Sequence, residues 1–246
     1  MSAGGGLTEV ERRGDTVRRS AGEWTPAVHA LLGHLQAVGF TASPRPLAIE
    51  DGVETLDFVP GGEATHSDDE LARVGTLIRA LHEATRSFRP PAAARWQFMV
   101  GAPRTGAVIC HNDLSPDNTV FEPTGSPRAF IDWDLAAPGP PLWDFAWAAY
   151  RFVPLYDDAT CERFGFPPGR QAERLRLFVD AYNLEERDSL LATVCERISV
   201  LYDTARAWGE AGRPGWREVW TDTRGEQWLL GLRHVEAQRP IWQRVL

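Results

Sequence analysis

Three side chains between Val108 and Asp132 are of the types needed to handle a hydroxyl group beside a metal ion. An apolar run, Val108 to Cys110, ends in the polar sequence HNDLSPDN, which places Asp113 and Asn118 five residues apart. A second apolar run ends at Asp132. Carboxylate and amide oxygens are ligands that Mg²⁺ prefers, and a nearby carboxylate can orient a hydroxyl and take its proton. This combination is what phosphoryl transfer requires.

A β-hairpin is the element expected to bring these groups together. Apolar runs flank the turn-rich segment EPTGSP, so they should pair as antiparallel strands. With the turn centred near Gly125, positions summing to 250 face each other, and Asn118 lies opposite Asp132 unless the register slips by one residue. Opposed residues have Cβ atoms about 5 Å apart, so the two side chains could share one Mg²⁺ ion. Asp113 would face the same space, while His111 would brace the loop.

Composition excludes several other chemistries. The 246 residues, 43% hydrophobic and 24% charged, fit a globular protein of one domain or two lobes. All 26 basic residues are arginine, which excludes Schiff-base chemistry and the lysine of a GxxxxGK[ST] phosphate loop. A hydrolytic metal site built on His111 and Asp113 remains an alternative, although no further His or Asp cluster has ligand spacing.

Charge and cysteine content bear on partners and location. A net charge of −8 argues against a nucleic-acid partner. The three cysteines lack CxxC spacing, which is typical of reduced thiols in the cytoplasm. The first residues have no signal-peptide core and no apolar run approaches the roughly 20 residues that cross a membrane, so no membrane partner is expected.

The elements predicted around the site indicate an α+β fold. A hairpin from Glu9 to Ser20, a helix from Pro26 to Gly39 and a strand in VETLDFVPGG form a small β-rich segment. The remainder is mainly helical, and Ser67 with Glu70 predicts a capping box at the start of one helix. Apolar stripes at helical spacing run through Leu71–Leu81, Leu175–Tyr182 and Leu190–Trp208.

The motifs resemble those of one enzyme superfamily. HNDLSPDN is similar to the kinase catalytic-loop pattern HxDLxxxN, and FIDWD stands where protein kinases have DFG. Together with PGPPLWDFAW, they make the chain similar to the aminoglycoside phosphotransferase and choline kinase-like superfamily, most sharply from His111 to Asp144. The resemblance implies a two-lobed protein-kinase-like fold that uses ATP or GTP with Mg²⁺. Residues 1–60 would form a reduced nucleotide-binding lobe, and 61–246 a helical lobe with the catalytic loop and acceptor site.

The same resemblance assigns roles in the catalytic loop. Asp113 would be the catalytic base, and Asn118 and Asp132 the metal ligands. Asp144 would tie a helix to the catalytic loop. Asp134 would support the metal ligands or assist the metal itself.

On the nucleotide side the pattern is less complete. Phe58 and Val59, in DFVPG, would meet the adenine through backbone hydrogen bonds, and Gly4–Gly6 could cradle phosphates. With no lysine available, Arg18, slightly favoured over Arg19, would replace the small-lobe lysine. The helix acid that normally pairs with that lysine is missing, so His29, Gln36 or Glu23 would have to substitute. The usual first strand of the small lobe is not expected, because the glycines stand at the start of the sequence.

The acceptor is expected to be a cationic, amine-bearing or hydroxyl-rich small molecule. Its pocket should form from helices after Asp144, where acids suit a polycation and aromatic rings suit a quaternary ammonium. The acids are Asp157, Asp158, Glu162, Asp203, Glu210 and Asp222, and the aromatics are Trp143, Tyr150, Tyr156, Tyr202 and Trp208. Because of the reduced small lobe, the other interpretation is a degenerate kinase-like module that binds a ligand or partner without turnover.

Overall fold

The computed structural model describes residues 10–246, with a small sheet at one end of the chain and helices making up most of the rest. Gly4–Gly6 and Glu9 lie outside the described residues. The strands are β1 (Glu11–Arg13), β2 (Thr16–Ser20), β3 (Pro46–Glu50), β4 (Val53–Asp57), β5 (Val108–Cys110), β6 (Thr119–Phe121), β7 (Pro127–Phe130) and β8 (Ala137–Gly139). The helices are α1 (Thr25–Ala37), α2 (Asp68–Thr85), α3 (Pro141–Phe152), α4 (Asp158–Arg163), α5 (Gln171–Tyr182), α6 (Leu190–Glu210), α7 (Trp216–Thr223) and α8 (Glu226–Trp242). The predicted α+β class is confirmed.

The small sheet has the strand order β1-β2-β4-β3 and is antiparallel throughout. The predicted hairpin forms β1 and β2, with Gly14 at φ +60° in the turn, a conformation that glycine adopts without a steric penalty. Helix α1 also forms as predicted, with Pro26 in its first turn and Gly39, at φ +84°, just beyond its end. Strand β3 was not predicted, because PRPLAIE carries two prolines and no clear alternation.

Helix α2 begins with half of the predicted capping box. The Ser67 hydroxyl accepts a hydrogen bond from the Glu70 N–H at 3.2 Å, as expected. The Glu70 carboxylate, however, accepts from the N–H groups of Thr65 and His66, at 2.8 and 3.1 Å, instead of the Ser67 N–H. The reciprocal hydrogen bond of the predicted capping box, from the Ser67 N–H to Glu70, therefore does not form.

The hairpin at the centre of the site forms, but with a different register. Thr119 pairs with Phe130 and Val120 with Ala129, after which a bulge interrupts the ladder at Phe121. The Asn118 carbonyl accepts from the N–H of Ile131 at 2.9 Å, so Asn118 opposes Ile131 and not Asp132. The turn is centred on Thr124 instead of Gly125, since the Glu122 N–H donates to the Ser126 carbonyl at 2.9 Å, and the bulge recovers one position of this shift.

The helices bury the core on which the site rests. Apolar side chains of α2, α3, α5 and α6 form one cluster with the strands around the catalytic loop. Trp133 and Trp147 are among its largest fully buried members. Within residues 10–246, no helix combines the length and apolar character needed to cross a membrane.

Candidate active site

A cleft of about 1620 Å³ is lined by the small sheet on one side and the catalytic-loop region on the other. Five of the six residues that the sequence most directly assigned to the catalytic, metal and nucleotide roles line it, and the exception is Arg18. The five are Phe58, Val59, Asp113, Asn118 and Asp132. Although the hairpin register is shifted, Asp132 still shares the cleft, because it follows Ile131 with a left-handed φ of +60° that takes the chain out of the strand.

Asp113 is held by hydrogen bonds on both carboxylate oxygens. Its Oδ1 accepts from the indole Nε1 of Trp147 at 3.1 Å, and its Oδ2 accepts from the amide Nδ2 of Asn118 at 2.7 Å. The side chain is only 8% exposed, and this burial raises the pKa of Asp113 although the positive charge of Arg151 opposes it. A fixed carboxylate with a raised pKa is suited to receive a proton from a hydroxyl group.

His111 braces the catalytic loop instead of entering the cleft. Its Nδ1 accepts from the Asp113 N–H at 3.3 Å, so the proton is on Nε2, which donates to the Ile131 carbonyl at 3.0 Å. Complete burial lowers the pKa of His111, which favours this neutral ring. The predicted bracing role is confirmed by these contacts, and they give no support to a metal site on His111.

Asp144 ties helix α3 to the catalytic loop, as predicted. Its two carboxylate oxygens accept from the N–H groups of His111 and Asn112, at 2.8 and 2.7 Å. Burial alone would raise the pKa of Asp144, but hydrogen bonding to His82, at 3.1 Å, and the loop N–H groups lower it. Asn112 has a left-handed φ of +66°, so these contacts hold the loop in a conformation that most residues avoid.

Arg197 on α6 is a loop-supporting residue that the sequence analysis missed. Its Nη2 donates to the Asn112 carbonyl at 2.5 Å, and its guanidinium carbon lies 5.0 Å from the ring centroids of both Trp143 and Trp147. Burial lowers the pKa of Arg197 to about 10. A signal was present in the sequence, because Arg197 interrupts the apolar stripe of α6 between Val194 and Leu201.

Arg19, and not Arg18, is the arginine that faces the carboxylates of the site. Its guanidinium contacts Glu54 at 2.5 Å, Asp132 at 3.1 Å and Asp134 at 2.6 Å. Successive residues of a strand point to opposite faces, so placing Arg19 in the cleft directs Arg18 away from it. The slight preference for Arg18 was wrong for this reason.

The acid that pairs with Arg19 comes from a strand and not from helix α1. Glu54 on β4 is 1% exposed and accepts from Arg19, while its other oxygen lies 3.0 Å from Nε2 of His29 on α1. Of the three expected substitutes, only His29 takes part, and it acts through Glu54. Glu54 was missed, although an acid on the same face of β4 as Leu56 is a recognisable signal.

The two predicted nucleotide-contacting residues differ in what they can offer. The Phe58 N–H already donates to the Asp15 carbonyl at 2.8 Å, and the Arg12 guanidinium lies 3.6 Å above the Phe58 ring. The Val59 N–H has no backbone partner among the described residues. Val59 is therefore the better placed of the two for a backbone contact with a ligand.

The expected metal ligands form an oxygen donor set compatible with Mg²⁺. Asn118 uses its Nδ2 to bind Asp113, and Asp132 uses Oδ1 to bind Arg19, so Asn118 Oδ1 and Asp132 Oδ2 are left to face a cation. Burial, reinforced by the neighbouring Asp134 carboxylate, raises the pKa of Asp132 to about 6. In the described part of the chain, no group of three or more His, Cys, Asp and Glu side chains is arranged to hold a metal. A site here thus depends on the Asn118 amide.

The acceptor side of the cleft differs from the prediction. None of the six acids named for it lines the cleft, and Trp208 is the only one of the five aromatics that does. Several of these acids have other roles: Asp157 caps α4 by accepting from the Thr160 N–H, and Asp203 pairs with Arg206 on the surface of α6. The lining comes instead from residues 95–104 and 208–216. The prediction that acids line the acceptor side of the cleft was therefore wrong.

Comparison with known proteins identifies the family. The model of the phosphotransferase enzyme family (APH) matches residues 19–178, a segment that contains Arg19, Glu54 and the whole catalytic loop. The chain belongs to this phosphotransferase family. It is also similar to the trifolitoxin immunity protein of Rhizobium leguminosarum bv. trifolii, with 34% identity over 94% of this chain and 95% of the relative.

Solved structures share the fold of this phosphotransferase-family chain. Choline kinase LicA from Streptococcus pneumoniae has a TM-score of 0.58 at 11% identity, covering 94% of this chain and 90% of the other. The GDP and kanamycin complex of APH(2″)-IIia gives a TM-score of 0.58 at 15% identity, covering 95% and 91%. These matches confirm the protein-kinase-like fold, with its small sheet and larger helical part.

Proposed function

We propose that this protein transfers the γ-phosphoryl group of ATP or GTP to a hydroxyl group of a small molecule. The observation that carries the proposal is that Asp113, Asn118 and Asp132 line one cleft. The family supports phosphotransfer to small molecules, and a solved relative of the same fold was determined with GDP. In this proposal residues 1–60 contribute the nucleotide-binding lobe, and 61–246 the catalytic loop and acceptor site.

Asp113 is the base of the proposed reaction. It receives the hydroxyl proton of the acceptor, while its bonds to Trp147 and Asn118 keep the carboxylate aimed into the cleft. Asn118 and Asp132 would hold Mg²⁺, which would supply neutralisation of phosphate charge. Arg19 takes the place of the small-lobe lysine, and its pairing with buried Glu54 sets its position.

The test of this function separates binding from chemistry. ATP or GTP at millimolar concentration with Mg²⁺ should raise the melting temperature, because a ligand at 100 times its Kd adds about 2.7 kcal/mol to the stability of the folded state. Asp132→Ala should remove most of the shift, and Asp180→Ala, an exposed acid on α5, should leave it unchanged. Asp113→Asn should retain the shift but lose slow nucleotide hydrolysis. A protein with no nucleotide-dependent shift would not be a phosphotransferase of this kind.

A second candidate function is that of a module that binds a ligand or partner without turnover. Two observations favour it: the 34%-identical relative is named an immunity protein, and Arg19 already occupies one oxygen each of Asp132 and Asp134. Under this hypothesis the cleft would bind its ligand with the same affinity in the presence and absence of nucleotide and Mg²⁺. Hydrolysis that depends on Asp113 would exclude it.

A further inference from the structure

The cleft wall formed by residues 95–104 and 208–216, called here the acceptor wall, combines aromatic rings with arginine side chains. Its residues line the same cleft as Asp113. Its aromatic members are Trp96, Phe98, Trp208 and Trp216, and its charged members are Arg95, Arg104 and Arg213. No Asp or Glu of residues 95–104 or 208–216 lines the cleft.

Two of the three arginines have a free positive charge. Arg95 pairs with Glu23 at 3.0 Å. Arg104 and Arg213 are exposed, and neither forms an ion pair with any residue between 10 and 246. A guanidinium presents a planar set of donors that matches the two oxygens of a carboxylate.

Most of the acids that line the cleft have an arginine partner, although Asp132 and Asp134 share Arg19 with Glu54. Besides Glu23, the paired acids are Asp57 with Arg45, Asp117 with Arg151, and Asp132 and Asp134 with Arg19. Only Glu63 and Asp113 line the cleft without an ion pair in the described chain. A polycationic acceptor would therefore meet two unpaired arginines on the acceptor wall.

Two aromatic rings of the acceptor wall already have a guanidinium group beside them. Trp208 and Trp216 pack edge to face, with centroids 5.1 Å apart and planes at 85°. The guanidinium carbon of Arg213 lies 4.4 Å from the Trp208 ring centroid, so that cation–π position is already taken. Similarly, the Arg104 guanidinium lies 5.0 Å from the Phe98 ring.

We infer that the acceptor carries a carboxylate beside a flat apolar ring, in addition to its hydroxyl group. This inference rests on the proposed phosphotransfer, because it names the acceptor of that reaction. Arg104 and Arg213 bind the carboxylate, the partly exposed rings of Trp96 and Phe98 contact the apolar part, and the hydroxyl reaches Asp113. The amine-bearing acceptor expected from the sequence is replaced by an anionic one.

The experiment uses two probes that share a ring and differ in charge, indole-3-propionate and tryptamine. Binding to the full chain is measured by titration calorimetry and ligand-observed NMR, without nucleotide. Indole-3-propionate should bind about tenfold more tightly than tryptamine, the effect of one charge-assisted hydrogen bond. The double variant Arg104→Glu/Arg213→Glu should reverse this preference. Arg217→Glu, an exposed arginine on α7 that does not line the cleft, should leave the preference unchanged.

Two outcomes would overturn the inference. One is that tryptamine binds as tightly as indole-3-propionate or more tightly, or that neither probe binds at millimolar concentration. The other is an anion preference that survives the double charge reversal. Failure of the proposed function is seen separately, as the absence of a nucleotide-dependent melting shift, since the probe titrations contain no nucleotide.

Discussion

Arg19 is the cation that links the small sheet to the carboxylates of the site. Its side chain is 10% exposed, and it contacts three carboxylates contributed by two distant parts of the sequence, Glu54 on β4 and the pair Asp132 and Asp134. Three acids this close would repel one another without a central positive charge. Arg19 therefore holds the small sheet against the end of the catalytic hairpin.

Replacing Arg19 by alanine should cost far more stability than replacing its neighbour. Arg19→Ala leaves buried carboxylates without a partner, and we expect the free energy of unfolding to fall by about 3 kcal/mol. Arg18→Ala, on the other face of β2, should cost less than about 1 kcal/mol. Urea unfolding of both variants measures the difference. Equal losses would mean that the three contacts contribute little to the fold.

His111 makes stability depend on pH in a defined direction. Burial lowers the pKa of His111 from 6.5, so as pH falls below about 6.5 the unfolded chain takes up the proton before the folded one does. The stabilisation is complete above that pH and is lost below it. When the pH is lowered from about 7.5 to about 5.5, the free energy of unfolding should fall by about 1 kcal/mol more in the wild type than in His111→Asn.

His66 provides the matched comparison for this measurement. Its pKa is also lowered, mainly by burial, but it lies outside the catalytic loop. His66→Asn should therefore remove its own share of the pH dependence and leave the His111 share in place. An unchanged pH profile in His111→Asn would show that the ring is not held neutral.

At the level of single residues, the sequence predicted which groups line the cleft better than which groups support them. Asp113, Asn118 and Asp132 stand in a recognisable spacing, so their presence in one cleft could be predicted. The choice between Arg18 and Arg19 could not, because it depends on which face of β2 meets the cleft. That face is decided by packing against β4, whose acid Glu54 lies far along the chain.

Among the secondary-structure elements, the catalytic hairpin itself could be predicted from the sequence, but its strand register could not. Its turn residues identify the hairpin but do not decide between a turn centred on Thr124 and one centred on Gly125, and the bulge at Phe121 leaves no clear mark in the sequence. The acceptor wall was unpredictable for a related reason. Residues 95–104 form an irregular loop without periodicity, and its position is fixed by tertiary contacts such as the 2.9 Å hydrogen bond from the Val100 N–H to Thr204 on α6.

Helix α3 fixes the catalytic loop through one carboxylate, and this link can be tested. In Asp144→Asn an amide NH₂ replaces one of the two oxygens that accept from His111 and Asn112, so two donors face each other in a buried site. We expect a loss of about 2–3 kcal/mol in unfolding free energy and reduced nucleotide hydrolysis. Asp180→Asn, at an exposed ion pair on α5, should cost less than about 1 kcal/mol.

For the molecule as a whole, the segment after β4 must pass close to the catalytic hairpin. Gly62 and Phe121 exchange two backbone hydrogen bonds, at 2.8 and 3.0 Å, which join this segment to β6. A Cβ on Gly61 would come within 2.5 Å of the Phe121 carbonyl oxygen and would also meet the Val120 side chain. A Cβ on Gly62 would meet nothing within 4 Å. Gly61 is therefore where the backbone leaving the sheet comes closest to the catalytic hairpin.

These adjacent glycines give a matched pair of variants for the coupling between the sheet and the catalytic hairpin. Gly61→Ala must push β6 away from the segment, and we expect it to lose about 2 kcal/mol of stability relative to Gly62→Ala, which gains or loses little. Because β6 follows directly on Asn118, the same displacement should weaken nucleotide binding, seen as a smaller melting shift with ATP and Mg²⁺. Thermal unfolding of both variants, with and without nucleotide, measures the two effects. A destabilised Gly61→Ala with an undiminished nucleotide shift would mean that the hairpin moves without disturbing Asn118, and that the close approach at Gly61 serves the fold alone.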